Sequence, residues 1–112
     1  MCGIAGAFHF ERRPAKRPLG KMLGTLRSRG PDESRTITLR DGHLGANRLA
    51  IVDVEGGQNP VADTSGRYTV ALNGEIYNHR PLRKELEARG AQFQTATDTE
   101  VVARLFVEQP AR

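Results

Sequence analysis

The sequence predicts a mixed α+β fold with at least four strands and two or three helices. Segments with a two-residue apolar period alternate with segments whose apolar residues recur every three or four positions. The length, 112 residues, is that of one domain, and 38% hydrophobic residues with a mean hydropathy of −0.52 are typical of a globular chain. Neither an internal repeat nor a linker divides the sequence. These observations favour one α+β unit built from short elements.

In the first half, the predicted elements are a strand over residues 3–10, a charged loop over 11–18, a helix over 19–28 and short strands over 36–39 and 43–46. The helix is predicted because one of its faces carries apolar residues at i, i+3, i+4 and i+7, namely Leu19, Met22, Leu23 and Leu26. Gly30 suits a helix end, and Pro31 cannot continue a helix. The dipeptide Asp41-Gly42 is typical of hairpins and is expected to connect the two short strands.

In the second half, the predicted elements are an apolar run over 49–54, a strand over 67–73, a helix over 80–89, a brief strand over 91–95 and a helix over 98–108. Pro81 suits the first turn of the earlier helix, and Gly90 suits its end. The last helix is expected to bury its apolar side chains, Val101, Val102, Leu105 and Phe106.

Composition excludes several classes of protein. No apolar run approaches the roughly 20 residues that a membrane helix needs, so no membrane partner is expected. A single cysteine cannot form an internal disulfide, and the cytoplasm is the expected compartment. The net charge of +4 is concentrated in residues 1–48, but without interleaved aromatic residues it does not predict nucleic-acid binding. The three histidines and the cysteine lack metal-ligand spacing, so no metal site is predicted.

The only cysteine is the second residue of the chain. Removal of Met1 would make Cys2 the first residue, with a thiol and an α-amine on the same carbon. A thiolate is a strong nucleophile, and an α-amine with an ordinary pKa of about 7.7 can act as a base near neutral pH. The other interpretation is that Cys2 is a small buried residue at the start of a strand.

Two further patterns fit the chemistry of an amino-acid amide. Asn73-Gly74, at the end of a predicted strand, could supply two donors to an oxyanion, although the same dipeptide is also a common turn. Arg48 could bind a carboxylate, and Glu75 and Asp98 could bind an α-ammonium group. Each residue also has a structural interpretation: a surface strand residue, a solvated loop charge, and the start of a helix capped by Thr97-x-x-Glu100.

Taken in order, these elements resemble the glutaminase domain of class II glutamine amidotransferases, which are N-terminal nucleophile hydrolases. Within that group the sequence is most similar to glutamine-hydrolysing asparagine synthetase. The resemblance is carried by MCGIAG, RGPD, RLAIVD, GGQNP, NGEIYNH and TDTEV, and it spans essentially all 112 residues. The sequence departs from many relatives at Ser28 and in the stretch Gly45-Ala46-Asn47, which concerns loop packing more than chemistry.

The resemblance implies a fold and a reaction. Residues 1–112 would be part of a glutaminase domain whose complete form is a four-layer αββα sandwich, with the synthetase domain absent. Cys2 would attack glutamine, and Asn73 and Gly74 would form the oxyanion hole. The residues implied in glutamine binding are Arg48, Leu49, Ala50, Ile51, Val52, Asn73, Gly74, Glu75 and Asp98.

The resemblance also implies partners. Ammonia would pass to a synthetase domain or subunit that makes asparagine from aspartate; ATP and Mg²⁺ are expected only there, and this chain is expected to need no cofactor. Homo-oligomerisation is left open. Two alternatives remain at this point: a non-catalytic remnant or interaction module, and an amidotransferase part that serves another acceptor, in secondary metabolism or peptide modification.

Overall fold

The computed structural model describes residues 2–49 and 57–109, which form three helices and two antiparallel sheets. The strands are β1 (Gly3–Phe8), β2 (Glu33–Thr38), β3 (Gly42–Arg48), β4 (Val61–Ala62) and β5 (Thr69–Val70). The helices are α1 (Arg17–Thr25), α2 (His79–Ala88) and α3 (Asp98–Glu108). The predicted mixed α+β class is therefore confirmed. The larger part of the predicted run 49–54, residues 50–54, lies outside the described residues.

The larger sheet has the order β1-β3-β2, with β3 in the centre. Gly3 pairs with Asn47 and Phe8 with Gly42, so β1 and β3 lie side by side along the whole of β1. Helix α1 covers one face of this sheet with Leu19 and Leu23, both buried. The central strand is the best buried of the three, and its last residue, Arg48, carries a side chain that sequence analysis placed in the functional site.

Two glycines have roles other than the predicted ones. Gly30 does not end α1, which stops at Thr25; a Cβ on Gly30 would lie 2.3 Å from the Asn47 carbonyl oxygen, so the glycine allows close packing against β3. Gly42 is not in the hairpin turn. The Leu39 N–H donates to the Gly42 carbonyl at 2.7 Å, and a Cβ on Gly42 would lie 2.2 Å from the Ala7 carbonyl oxygen.

The second sheet is a short hairpin of β4 and β5, on which α3 packs. The predicted strand over 67–73 is wrong in extent, because only Thr69–Val70 pair with a neighbour, and β4 was not predicted. At the turn, the Asp63 carboxylate accepts the backbone N–H groups of Ser65 and Tyr68 at 2.6 and 2.7 Å. Burial raises the pKa of Asp63, whereas its hydrogen bonds to Ser65 and Tyr68 lower it. The lowering outweighs the effect of burial, so the pKa lies below the ordinary value of 3.8.

The bounds of helices α2 and α3 agree with the predicted helices over 80–89 and 98–108 to within one residue. Gly90 ends α2 with a positive φ of 95°; its N–H bonds to the Glu87 carbonyl, and the Ala91 N–H bonds to the Leu86 carbonyl, which together form a Schellman motif. The bounds of α3 are those predicted. The predicted burial of its apolar side chains is wrong for Phe106, which remains 40% exposed.

The predicted strand over 91–95 is wrong. The backbone N–H groups of Gln94 and Thr95 donate to the Glu100 carboxylate at 2.8 and 2.7 Å, and the Thr95 hydroxyl donates to the same carboxylate. The Glu100 carboxylate therefore accepts the N–H groups that would otherwise donate to the carbonyls of a neighbouring strand.

Candidate active site

A cavity of about 390 Å³ lies where several separate parts of the chain meet. They are the segment before β1, the end of β3, the segment before β4, the loop after β5 and the start of α3. The residues that line the cavity are Cys2, Arg48, Leu49, Gln58, Asn59, Leu72, Gly74, Glu75, Tyr77, Thr97, Asp98 and Thr99.

Cys2 lies one residue before β1 and is half-buried. Its Sγ is 4.0 Å from the backbone carbonyl oxygen of Leu49. Continuing the β1–β3 register by one step places Cys2 opposite Arg48. Because paired residues of antiparallel strands point to the same face of a sheet, the thiol and the guanidinium belong to the same side.

Arg48 is only 5% exposed, so its charge needs a partner. One partner is Glu33, the residue opposite it on β2, whose Oε2 lies 3.8 Å from Arg48 Nη1. Glu33 was not singled out in the sequence, because nothing in its local pattern shows that β2 and β3 pair in this register.

Asp98 is the first residue of α3 and is buried. Its Oδ2 accepts the backbone N–H of Ile76 at 2.9 Å, so it connects α3 to the loop after β5. The partial positive charge at a helix N-terminus also favours a carboxylate at this position. The structural and the functional interpretation of Asp98 are thus compatible, since one oxygen is committed to the loop and the group still lines the cavity.

The capping box predicted around Asp98 is only half formed. The Thr97 hydroxyl accepts the N–H of Glu100 at 3.4 Å, as in a capping box. The Glu100 carboxylate does not reach back to Thr97 but binds the Gln94 and Thr95 donors instead. It therefore holds the loop that leads into the N-terminus of α3.

The loop after β5 contributes Gly74, Glu75 and Tyr77 to the cavity. Asn73 is exposed and is not among the residues that line the cavity, so only Gly74 of the two predicted oxyanion donors lies in the lining. Of the remaining predicted residues, Leu49 lines the cavity. Ala50, Ile51 and Val52 lie outside the described residues.

Several lining residues were not predicted: Gln58, Asn59, Leu72, Tyr77, Thr97 and Thr99. All except Leu72 occur in motifs that carry the resemblance, GGQNP, NGEIYNH and TDTEV, and this membership was the only available signal. Asn59 is the clearest omission. Its side chain binds both backbone groups of Leu72, a contact that only the folded hairpin reveals.

The polar groups around the cavity suit a zwitterionic ligand. One guanidinium and two carboxylates line it, together with a thiol and the hydroxyl-bearing residues Tyr77, Thr97 and Thr99. Over residues 2–49 and 57–109, no three His, Cys, Asp or Glu side chains cluster closely enough to hold a metal ion. In the same residues, no helix is both long and apolar enough to cross a membrane.

Comparisons with known proteins identify the family of this chain. Residues 1–111 match the family described as "Glutamine amidotransferase domain". The chain is 44% identical over 112 residues to "Asparagine synthetase [glutamine-hydrolyzing] 3" of Bacillus subtilis (strain 168), which covers 96% of this chain and 18% of that protein. It is 39% identical over 111 residues to "Asparagine synthetase B [glutamine-hydrolyzing]" of Escherichia coli (strain K12), with 97% and 20% covered.

A third relative is "Asparagine synthetase [glutamine-hydrolyzing] 2" of Oryza sativa subsp. japonica, which is 45% identical over 110 residues and covers 96% of this chain and 18% of that protein. The fold and site define a small α+β unit with a thiol beside a cavity that is lined by charged groups of both signs. The chain belongs to the glutamine amidotransferase domain family, and it is similar to the N-terminal part of asparagine synthetases. It spans about one fifth of the length of the curated relatives it matches.

Proposed function

We propose that this chain is the glutamine-hydrolysing part of an amidotransferase, and that Cys2, as the N-terminal residue after Met1 removal, is its nucleophile. The observation that carries the proposal is that four separate parts of the chain line one cavity with Cys2, Arg48, Gly74-Glu75 and Asp98. If each of these residues had only a local structural role, there would be no reason for them to line the same cavity.

Substrate binding follows from charge and geometry. The Arg48 guanidinium binds the α-carboxylate of glutamine, and Glu75 and Asp98 bind its α-ammonium group. Burial of Arg48 and Asp98 strengthens these interactions, because the charges are poorly screened by water. The side-chain amide of the substrate is then presented to Cys2.

The reaction has two steps. The Cys2 α-amine takes the thiol proton, Sγ bonds to the amide carbon of glutamine, and the carbonyl oxygen becomes an oxyanion that accepts hydrogen bonds from the Asn73 amide and the Gly74 N–H. The C–N bond then breaks, and the ammonium proton moves to the leaving nitrogen, which departs as ammonia. In the second step water attacks the glutamyl thioester, which releases glutamate and restores the thiol.

We further propose that the ammonia serves asparagine synthesis in the complete protein. The support is that the relatives are named as glutamine-hydrolysing asparagine synthetases. A synthetase domain or subunit would receive the ammonia from this cavity, and ATP and Mg²⁺ would act at that second site.

The same family assignment leads us to propose that the sheet β1-β3-β2 is one layer of a four-layer αββα sandwich. On β1, Ile4 and Phe8 alternate with residues that face α1, and they are 42% and 57% exposed. Apolar side chains on that face are what a second sheet would cover.

The proposal is tested by glutamine hydrolysis in the complete protein. We expect Cys2→Ala to abolish hydrolysis and wild type to form γ-glutamyl hydroxamate from hydroxylamine, because the thioester is captured by a second nucleophile. Leu39→Met, a conservative change outside the cavity, is the matched control. A Cys2→Ala protein that hydrolyses glutamine at the wild-type rate would show that Cys2 is not the nucleophile.

The role of the α-amine has its own test. An uncleavable residue placed before Cys2 leaves the thiol in position and converts the amine to an amide, which cannot take a proton. We expect hydrolysis to fall by about 100-fold or more, as for loss of a general base. Unchanged activity in the extended protein would contradict this part of the mechanism.

A further inference from the structure

We propose that Asn59 is a positioning residue for the oxyanion donors. Its side chain would fix the backbone of Leu72, which directly precedes Asn73 and Gly74. This inference rests on the proposed function, since it explains how the two donors are held for the reaction described above.

The contact between Asn59 and Leu72 uses both ends of one side chain. Asn59 Nδ2 donates to the Leu72 carbonyl at 2.7 Å, and the Leu72 N–H donates to Asn59 Oδ1 at 3.1 Å. Asn59 is 3% exposed, so its side-chain amide is largely shielded from water. A buried amide that satisfies both backbone groups of one residue leaves that residue little freedom.

The strand register explains where this contact lies. Val61 pairs with Val70 and Ala62 with Thr69, and the same register places Asn59 opposite Leu72. The Asp63 N–H donates to the Tyr68 carbonyl at 3.0 Å, and hydrogen-bonded pairs recur at every second residue of an antiparallel ladder, so the pair after 61–70 is 59–72. The Asn59 carboxamide therefore takes the place of a strand peptide group, two residues beyond the end of the regular hairpin.

The position of this contact connects it to the site. Strand β5 is only two residues long, so its own ladder ends before the loop that carries the donors. Asn59 holds the residue before the donors, and Asp98 holds Ile76, two residues after Gly74. Oxyanion donors are effective only when they are held at the right distance, so loosening one end should slow the chemical steps.

The first test is a double-mutant cycle on the complete protein with Asn59→Leu and Asn73→Ala. Alone, Asn59→Leu should lower kcat about 10- to 100-fold and change KM by less than about threefold. In the Asn73→Ala background its further effect should be less than about threefold, because one of the groups it positions is already missing. Asn78→Leu, an exposed asparagine without a side-chain cap, is the matched control.

The second test needs no activity. Amide hydrogen exchange in the free protein should show that Leu72 is protected in wild type and exchanges at least about tenfold faster in Asn59→Leu, while amides within α3 are unchanged. Should Asn59→Leu fail to fold, Asn59→Asp replaces it in the kinetic test, because it keeps the acceptor for the Leu72 N–H and loses the donor to the Leu72 carbonyl.

The outcomes separate this inference from the proposed function. With an active wild type, any of three results overturns the positioning role alone: full activity in both Asn59 variants, fully multiplicative effects in the cycle, or unchanged Leu72 exchange in Asn59→Leu. A complete protein that hydrolyses no glutamine, or hydrolyses it without Cys2, overturns the proposed function and this inference with it.

Discussion

One carboxylate oxygen of Asp98 accepts the backbone N–H of Ile76 at 2.9 Å, which joins the first turn of α3 to the loop after β5. The carboxylate thus shapes the cavity wall and also contributes negative charge to the cavity. These two contributions can be separated by substitution, because an amide oxygen can replace the acceptor but not the charge.

We predict that Asp98→Asn raises KM for glutamine about 10- to 100-fold with little change in kcat. The amide oxygen can still accept the Ile76 N–H, but the attraction for an ammonium group is lost, and hydrogen bonds to charged groups contribute about 1.5–3 kcal/mol. Steady-state kinetics on the complete protein measures both constants. Asp98→Ala, which also releases the loop, should lower kcat as well.

The control for charge is Glu108→Gln at the exposed far end of the same helix, which should leave both constants unchanged. If Asp98→Asn binds glutamine as well as wild type does, Asp98 does not contact the ammonium group.

A second prediction concerns stability and the Glu100 carboxylate. Glu100→Ala leaves the backbone N–H donors of Gln94 and Thr95 without their buried acceptor, so the free energy of unfolding should fall by about 2–4 kcal/mol. Urea denaturation measures this change. Glu108→Ala on the same helix should change stability by less than about 0.5 kcal/mol, and a comparable small loss in Glu100→Ala would contradict the role assigned to this carboxylate.

The lowered pKa of Asp63 predicts a pH-dependent contribution to stability. Because the folded state favours the ionised form, the contribution is present above the ordinary pKa of 3.8 and is lost as pH falls through the lower folded value. Asp63→Asn should therefore be about 1–2 kcal/mol less stable than wild type at pH 7, and this difference should shrink as pH falls below 3.8. Urea denaturation at several pH values checks it; a difference that stays constant with pH would exclude the ionised form as the cause.

A matched pair of glycine substitutions tests the packing behind Arg48. In Gly30→Ala the new methyl group would lie 2.3 Å from the Asn47 carbonyl oxygen, so β3 must shift and stability should fall by about 1–3 kcal/mol. Gly24→Ala, inside α1 with no atom within 4 Å of the new Cβ, should instead stabilise by up to about 1 kcal/mol. Thermal unfolding of both proteins gives the comparison. Opposite signs are expected, and equal effects would show that the Gly30 contact is not tight.

The helices were largely predictable because their signals are local. Gly90 ends α2 through its own backbone conformation, and Thr97 begins α3 with a hydroxyl three residues from the N–H it accepts. Residues 91–95 were not predictable, because what decides their conformation is the Glu100 carboxylate, which no strand pattern shows.

The site was predictable in part for a similar reason. Cys2, Arg48, Glu75 and Asp98 have side chains whose chemistry suggests a role wherever the fold places them. Asn59 and Glu33 act through partners that are brought close only by strand register, and register is a property of two segments rather than one.

The pairing of β1 with β3 also has a consequence for comparing genomes. Because the register from Gly3 to Phe8 is unbroken, a one-residue gap within either strand would turn Cys2 and Arg48 to opposite faces of the sheet. Under the proposed mechanism, gene copies that still work should confine insertions and deletions to the connecting loops. An alignment gap inside these two strands would then mark a copy that has decayed.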